Sequence, residues 1–248
     1  MRLCLDLEAR DAAVGLAIDE ALLESVRNGG EDTIRVWVST RAVILGRSQS
    51  AAAECDREVA RRLAIPIVRR LSGGGAVYHY PGNLNVSVTA ADSRRFGTAE
   101  GAFARFGESL AGGLRGGLGV AVDACGRALV VGSRKISGAA QARRGKAILI
   151  HGTMLVWADT VEMAAVLRAH RRDYAPQSTP SHPQATTTLS DTLARPVGLA
   201  EAADAMLRGL ADLFPRPWCR APIAPGERIL AAELEAARYR NPEWNESR

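Results

Sequence analysis

The densest run of chemistry-capable residues is Arg69-Arg70-Leu71-Ser72-Gly73-Gly74-Gly75-Ala76-Val77-Tyr78-His79. Three successive glycines remove every Cβ from a turn, which permits positive φ and lets a ligand touch the main chain. The exposed N–H groups of such a turn can cradle an anion. Arg69 and Arg70 come just before it, and strand alternation sends them to opposite faces, so one can meet the anion while the other is structural. A plain glycine hairpin accounts equally well for the three glycines taken alone. No Gly-Lys-Ser/Thr follows, and a strand comes next instead of a helix, which excludes a Walker loop and a GxGxxG dinucleotide turn.

The second candidate is a lysine. Thirty of the thirty-two basic residues are arginine, and the two lysines are Lys135 and Lys146. A GC-rich genome explains a chain full of arginine, but not a lysine that was kept. Arginine is a planar fork, whereas lysine is a compact point charge on a flexible stem. On the strand pattern, Lys135 and Ser137 share a face, Gly138 permits close approach, and His151-Gly152-Thr153 lies in the next strand. If the two strands pair around the 142–147 turn, Lys135 and His151 fall in one small region. A lysine there could hold a carboxylate and a phosphate together in acyl-phosphate chemistry. Taken singly, an edge lysine and a core histidine are the simpler accounts. Lys146, in the polar turn RRGKA, reads as solvated.

These residues need strands and turns to position them. Helices are expected over Ala13–Val26, Glu54–Leu63, a segment around Phe103, Phe106, Leu110 and Leu114, then Val161–Ala169, Leu199–Leu213 and Ile229–Tyr239. Strands are expected at Thr33–Ser39, Ala42–Leu45, Ala128–Val131, Lys135–Ala140 and Ala147–Val156. Ile67–Leu71, Ala76–Tyr80 and Leu84–Thr89, separated by Gly, Pro and Asn, read as consecutive antiparallel strands. A Pro/Ser/Thr-rich loop, YAPQSTPSHPQATTT, precedes the later helices. The fold class is therefore α+β, with mixed or antiparallel sheets flanked by helices, because a doubly wound parallel sheet needs a strand–helix alternation that is absent.

The 248 residues suit one large domain, and 47% hydrophobic with 24% charged residues describes a globule, not a disordered chain. The N-terminus lacks a secretory pattern and no apolar run is long enough to span a membrane, so a cytoplasmic protein without a membrane partner is expected. Cys4, Cys55, Cys125 and Cys219 are scattered singly, which argues against a disulfide framework or a structural metal site. The net charge of +5 comes without a basic stripe interleaved with aromatics, so nucleic acid is not expected. An acidic protein partner accounts for it equally well.

Taken together, the motifs resemble a known family. Arg69 to His79, continuing to Gly82-Asn83-Leu84-Asn85, looks like the lipoyl-binding signature of lipoate–protein ligases. Lys135 to Gln141 looks like that family's lysine motif, and His151-Gly152-Thr153 like its following strand. Gly46 to Gln49, Ala17 to Glu20 and Tyr239 to Asn245 also fit, so the resemblance runs almost end to end. Biotin ligases share the fold, but their GRGRxGRxW turn is absent. The resemblance implies a biotin/lipoyl ligase catalytic-domain fold over residues 1–248. It also implies that lipoate is activated by ATP to lipoyl-AMP, with Mg2+ accompanying the nucleotide. The lipoyl group then passes to a lysine of an E2 lipoyl domain of a 2-oxoacid dehydrogenase, or of an H-type glycine cleavage protein. By position, Ser72, Gly73, Gly74, Gly75, Ala76, Val77 and Tyr78 would belong to the acyl and adenylate pocket. Arg70 would face carboxylate or phosphate, and His79 and Asn83 would support the loop. Lys135 would be the catalytic bridge in both half-reactions, with Ser137 and Gly138 beside it. Ala140 and His151 would flank the acyl chain, with Gly152 and Thr153 alongside.

Three departures accompany the match. Tyr80 stands where many ligases carry an acidic residue, Gly126-Arg127-Ala128-Leu129 replaces Gly-Arg-Asn-Asp, and a catalytic domain without the C-terminal accessory domain of full bacterial ligases is expected. A separate small subunit is therefore an expected partner. Two alternatives stay open: an octanoyl or lipoyl transferase using Cys125 as nucleophile, and a non-catalytic lipoyl-binding subunit. As a residue beside a turn, Cys125 is more simply a small apolar side chain.

Overall fold

The computed structural model describes residues 1–247. Its larger sheet has eight strands in the order β11-β1-β2-β6-β10-β9-β8-β7. These are β1 (Arg2–Arg10), β2 (Thr33–Ser39), β6 (Asn83–Ala90), β7 (Asp123–Cys125), β8 (Ala128–Val131), β9 (Arg134–Arg144), β10 (Ala147–Leu155) and β11 (Cys219–Arg220). β1 is parallel to both neighbours and the other pairs are antiparallel, which makes the sheet mixed, as expected. A three-stranded sheet, β4-β3-β5, comprises β3 (Ala42–Leu45), β4 (Ile67–Arg69) and β5 (Val77–His79). Here the structure differs from the expected run of consecutive antiparallel strands. β4 is parallel to β3, β5 is antiparallel to it, and β6 belongs to the other sheet. The glycine segment is thus no hairpin turn; it crosses from one edge of a sheet to the other.

The helices are α1 (Ala12–Arg27), α2 (Ala51–Glu54), α3 (Arg57–Arg62), α4 (Ala99–Leu118), α5 (Thr160–Val166), α6 (Leu189–Leu193), α7 (Leu199–Leu213), α8 (Pro225–Leu234) and α9 (Pro242–Asn245). The helix expected over 54–63 is broken, because Asp56 caps α3 through Val59 N and Cys55 leaves the helix to bridge to Leu167. The last expected helix begins earlier, at Pro225, and continues past Leu234 as a π-turn to Tyr239. The glycines of α4 have a packing purpose. A Cβ at Gly113 would lie 2.2 Å from the Ala205 carbonyl, and one at Gly209 would lie 1.8 Å from that of Ser109, so α4 and α7 touch backbone to backbone.

That pair covers one face of the large sheet, where Val36, Val86, Val88, Ile150 and Met154 meet Phe106, Leu110, Met206 and Leu210. The opposite face is polar, with Thr33, Arg35, Asn85, Ser87 and Thr89 all buried. β6 alternates polar and apolar residues, the pattern of a half-exposed strand, yet both faces are covered because α1 packs on β2, β6 and β10. α1 sits so close that a Cβ on Gly15 would lie 2.1 Å from the Trp37 ring. No helix among the described residues is long and apolar enough to cross a membrane.

The C-terminal segment locks the small sheet in place through Arg69, a fully buried arginine. Its guanidinium donates to the carbonyls of Gly46 (3.0 Å), Gln49 (2.6 Å), Trp244 (2.9 Å) and Asn245 (2.8 Å). Trp244 Nε1 donates back to the Arg69 carbonyl at 2.8 Å. Each such charge-assisted bond is worth about 1.5–3 kcal/mol, and the carbonyls would otherwise be buried unpaired. Arg69→Met is therefore expected to lower the unfolding free energy by about 3 kcal/mol or more. Urea denaturation measures this, and a loss below about 1 kcal/mol would contradict the role assigned to the side chain.

Candidate functional site

Between the two sheets lies a cavity of about 210 Å³. Its floor is a row of residues in register across four strands: Trp37 opposite Asn85, Asn85 opposite Thr153, and Thr153 opposite Gly138. Three strand spacings make this row roughly 14 Å long. Trp37 closes one end and Lys135 stands at the other. A second, adjoining arm continues beyond Lys135, lined by Tyr78, Asn83, Ser137, Met163 and Leu167.

Lys135 reaches the junction through an irregularity in β9. Leu129 and Val130 are consecutive on β8, yet they face Ser137 and Lys135, so β9 carries an extra residue there. The bulge changes the phase of the strand and brings the Lys135 ammonium over Gly138, where a Cβ would sit 3.0 Å from Nζ. The common face expected for Lys135 and Ser137 is therefore replaced by one shared with Gly138, and Ser137 lines only the second arm.

Arg70 forms the other side of the junction. Nη2 donates to the carbonyls of Gly73 (2.6 Å) and Gly75 (2.9 Å), Nη1 to that of Ile44 (3.2 Å), and Nε to Ser72 Oγ (3.1 Å). Neutral groups alone solvate this buried cation, and burial pulls its pKa down to about 10. Burial, and then the charge of Arg70, also lowers the Lys135 pKa. Among the described residues neither Lys135 nor Arg70 has an ion-pair partner. His79 is neutral, pushed down to about 3 by burial and then by Arg70 and His151. The glycine segment can bend over Arg70 because Gly74 has φ +94 and because Gly46 leaves room for it; a Cβ there would lie 1.9 Å from the Gly74 carbonyl.

The Pro/Ser/Thr-rich segment straps this arrangement down. Lys135 N donates to the Ala185 carbonyl at 2.7 Å, and Thr187 N to the Lys135 carbonyl at 2.9 Å. Ser181 Oγ accepts from Ala76 N at 2.8 Å and donates to the buried Glu54 carboxylate at 2.5 Å, which also holds the Tyr174 hydroxyl at 2.7 Å.

Most residues singled out in the sequence come together here. Arg70, Gly74, Gly75, Ala76, Val77 and His79 form one wall of the main cavity. Lys135, Gly138, Ala140, His151, Gly152 and Thr153 form the facing one. Tyr78 and Asn83 fall in the second arm. Ser72 and Gly73 do not line either arm: Ser72 is buried behind the loop, bonded to His151 Nε2 at 2.7 Å, and Gly73 serves through its carbonyl. Cys125 is exposed at the end of β7 and lies outside both arms, whereas its neighbour Arg127 lines the main one. Tyr80, the departure in the glycine motif, packs edge-on against Trp157 away from the cavity. Sequence reasoning assigned no site role to Trp37, Asp19, Asn85, Ser181 and Glu54, although Asp19 and Asn85 lie in segments that match the family. The first three sit on elements it had located, but nothing in their spacing shows which faces meet.

Comparison with known proteins agrees with this geometry. Residues 11–211 match the model of the lipoyl protein ligase A/B catalytic domain. The chain belongs to that family. It is 31% identical over 242 residues to lipoate-protein ligase A subunit 1 of Thermoplasma acidophilum, covering 94% of this chain and 91% of the relative. It is 29% identical over 252 residues to the octanoyltransferase LipM of Carboxydothermus hydrogenoformans, covering 94% and 93%. The bipartite lipoate protein ligase of T. acidophilum, solved in a study that includes its E2 lipoyl domain, superimposes with a TM-score of 0.85 at 30% identity over 99% of this chain and 95% of that one. A lipoate-protein ligase A bound with ATP does so with a TM-score of 0.85 at 30% identity, covering 99% and 98%. The relatives are thus ligases and acyltransferases of lipoate metabolism, and the fold is the one the motifs implied.

A testable consequence concerns Lys135. Its depressed pKa means that, between that value and the ordinary lysine value, the unfolded chain binds more protons, so stability rises with pH there. With only two lysines in the chain, ¹³C-methyl labelling followed by NMR resolves the titration. Lys135 is expected to titrate below the ordinary lysine value and to move up when pyrophosphate is added. A midpoint at or above that value would contradict the description.

Proposed function

We propose that the chain is an ATP-dependent lipoate–protein ligase of one catalytic domain, making lipoyl-AMP and transferring the lipoyl group to a lysine of a lipoyl domain. The observation that carries the reading is the pair of unneutralised cations, Arg70 and Lys135, at the junction of two arms. Two like charges held without a carboxylate cost stability unless an anion comes to lie between them. An acyl phosphate supplies that anion. The main arm, running from Lys135 to Trp37, suits an extended lipoyl chain with its carboxylate at the cations. The second arm suits the nucleoside: Asn83 Oδ1 is buried there without a hydrogen bond while Nδ2 is tied to the Tyr78 carbonyl at 2.7 Å, so an acceptor awaits an exocyclic amine such as that of adenine.

In the first half-reaction a carboxylate oxygen attacks the α-phosphorus and pyrophosphate leaves. Arg70 and Lys135 would screen the approach of two anions and stabilise the charge on the transferring group. In the second, the acceptor amine attacks the mixed anhydride and AMP leaves, with Lys135 holding the departing oxygens. Among the described residues no three metal-binding side chains cluster. Magnesium, which needs few protein ligands, would be held chiefly by the nucleotide phosphates and water. A lipoyl domain as acceptor and a small accessory subunit are proposed by analogy with the bipartite relative.

The transferase reading is favoured by the similarity to LipM. It is disfavoured by the cysteines: none lines either arm, Cys55 is buried with its thiol pushed up to about 12, and Cys125 is exposed elsewhere. The intact cation pair speaks against a non-catalytic subunit. The deciding experiment offers purified chain and apo lipoyl domain either lipoate with Mg-ATP or an octanoyl-carrier protein, each with and without the accessory subunit. ATP-dependent modification is expected, with Lys135→Met lowering kcat/KM by about 10²–10³ and Cys125→Ser leaving it unchanged. ATP-independent octanoyl transfer abolished by Cys125→Ser would overturn the reading.

A further inference from the structure

From the wall of the main arm to the back of the glycine loop runs a row of three polar side chains that the proposed chemistry does not use. Asp19 on α1 is buried, and Arg35 Nη1 (2.6 Å) and Ser87 Oγ (2.9 Å) both donate to its Oδ1. Burial, the largest influence, would raise the Asp19 carboxyl, but Arg35 and His151 together outweigh it and hold the group below the usual carboxylate value. Its other oxygen, Oδ2, has no hydrogen bond. His151 Nδ1 stands 3.8 Å from Oδ2. On the far side of the ring, His151 Nε2 meets Ser72 Oγ at 2.7 Å.

The direction of these bonds follows from the donors. Arg70 Nε–H can only donate, so Ser72 Oγ accepts from it. With the Ser72 hydroxyl proton assigned to the 2.7 Å contact with His151 Nε2, the neutral imidazole carries its proton on Nδ1, facing Asp19. This assignment leaves no group of the chain without a role except the gap between Nδ1 and Oδ2. That gap exceeds a hydrogen bond by several tenths of an ångström. His151 and Asp19 both line the main arm, while Ser72 does not. Ser72 instead touches Arg70, whose remaining nitrogens hold the carbonyls of Gly73 and Gly75.

We propose that Asp19, His151 and Ser72 form a positioning relay between the two arms: an acyl chain lying against the imidazole moves Nδ1 toward Asp19 and, through Ser72 and Arg70, sets the glycine loop for the nucleotide phosphate. The relay rests on the ligase reading and deepens it. It makes acid and nucleotide bind cooperatively, and the coupling must be reciprocal, each ligand tightening the other by the same factor. None of the three residues needs to touch a reacting atom.

Calorimetry tests the relay by measuring the affinity for lipoate with and without α,β-methylene-ATP, and for the analogue with and without lipoate. The wild-type chain is expected to show a coupling of about tenfold. Ser72→Ala is expected to reduce that factor to within about twofold of unity, and Ser72→Thr, which keeps the hydroxyl, to restore part of it. Thermal unfolding verifies each variant; should Ser72→Ala not fold, Asp19→Asn, which weakens the acceptor facing Nδ1, is read in the same way. Independent binding in the wild type overturns the relay, as does an unchanged factor in the variant. Failure of both ligands to bind, alone or together, overturns the ligase reading and the relay with it, and is distinguishable because the relay alone fails only when both ligands bind.

Discussion

Two cations held at one junction without a carboxylate to neutralise them are the constraint around which this structure is built. Arg70 stays charged in a buried position because the carbonyls of Ile44, Gly73 and Gly75 solvate it. Those carbonyls converge only if the chain between β4 and β5 bends back over the guanidinium, and the bend requires Gly74 in a left-handed conformation and Gly46 beneath it. Lys135 reaches the same point only because β9 bulges and because Gly138 leaves space under its ammonium. Glycine, bulge and strap are thus consequences of one electrostatic arrangement, costly when empty and favourable when an anion fills it.

The large sheet separates stability from recognition. Its apolar face, packed against α4 and α7, supplies the main core. Its other face carries Arg35, Trp37, Asn85 and Ser87, buried under α1, and the half-buried His151; of these Trp37, Asn85 and His151 line the cavity. A buried polar face must be nearly satisfied to be tolerated. Asp19 between Arg35, Ser87 and His151 is bonded through one oxygen only, and its Oδ2, with Arg35 Nη2 and Trp37 Nε1, is buried there without a hydrogen bond.

The elements that hold the site come from distant parts of the chain. Arg69, one residue from the cavity-lining Arg70, is fixed by Trp244 and Asn245, and the strap at Ser181 is fixed by Glu54. Strand alternation at Arg69 and Arg70 therefore gives neighbouring residues different tasks: one ties the small sheet to the C-terminal segment, and the other faces the cavity. Within this family, where ligases and octanoyltransferases share the fold, such scaffolding says little about the acyl donor. That distinction lies with the few groups that touch the reacting atoms.

Much was legible in the residues alone. Alternation and turn chemistry located most strands, helical spacing located α1, α4 and α7, and the glycine and lysine motifs with the His151 strand named the two facing walls of the cavity. These features are local, and the types of neighbouring side chains determine them. Long-range pairing decided the rest. The positions of β4 and β5 on either side of β3, the phase of Lys135 against Gly138, the withdrawal of Ser72 from the cavity wall and the exclusion of Cys125 all depend on which strands meet and in what register. β6 shows why: its alternation predicts one wet face, and only the packing of α1 over that face turns Asn85 from a surface residue into part of the cavity floor. A sequence specifies how each strand alternates, but the depth to which each face is buried is a property of what the rest of the chain lays upon it.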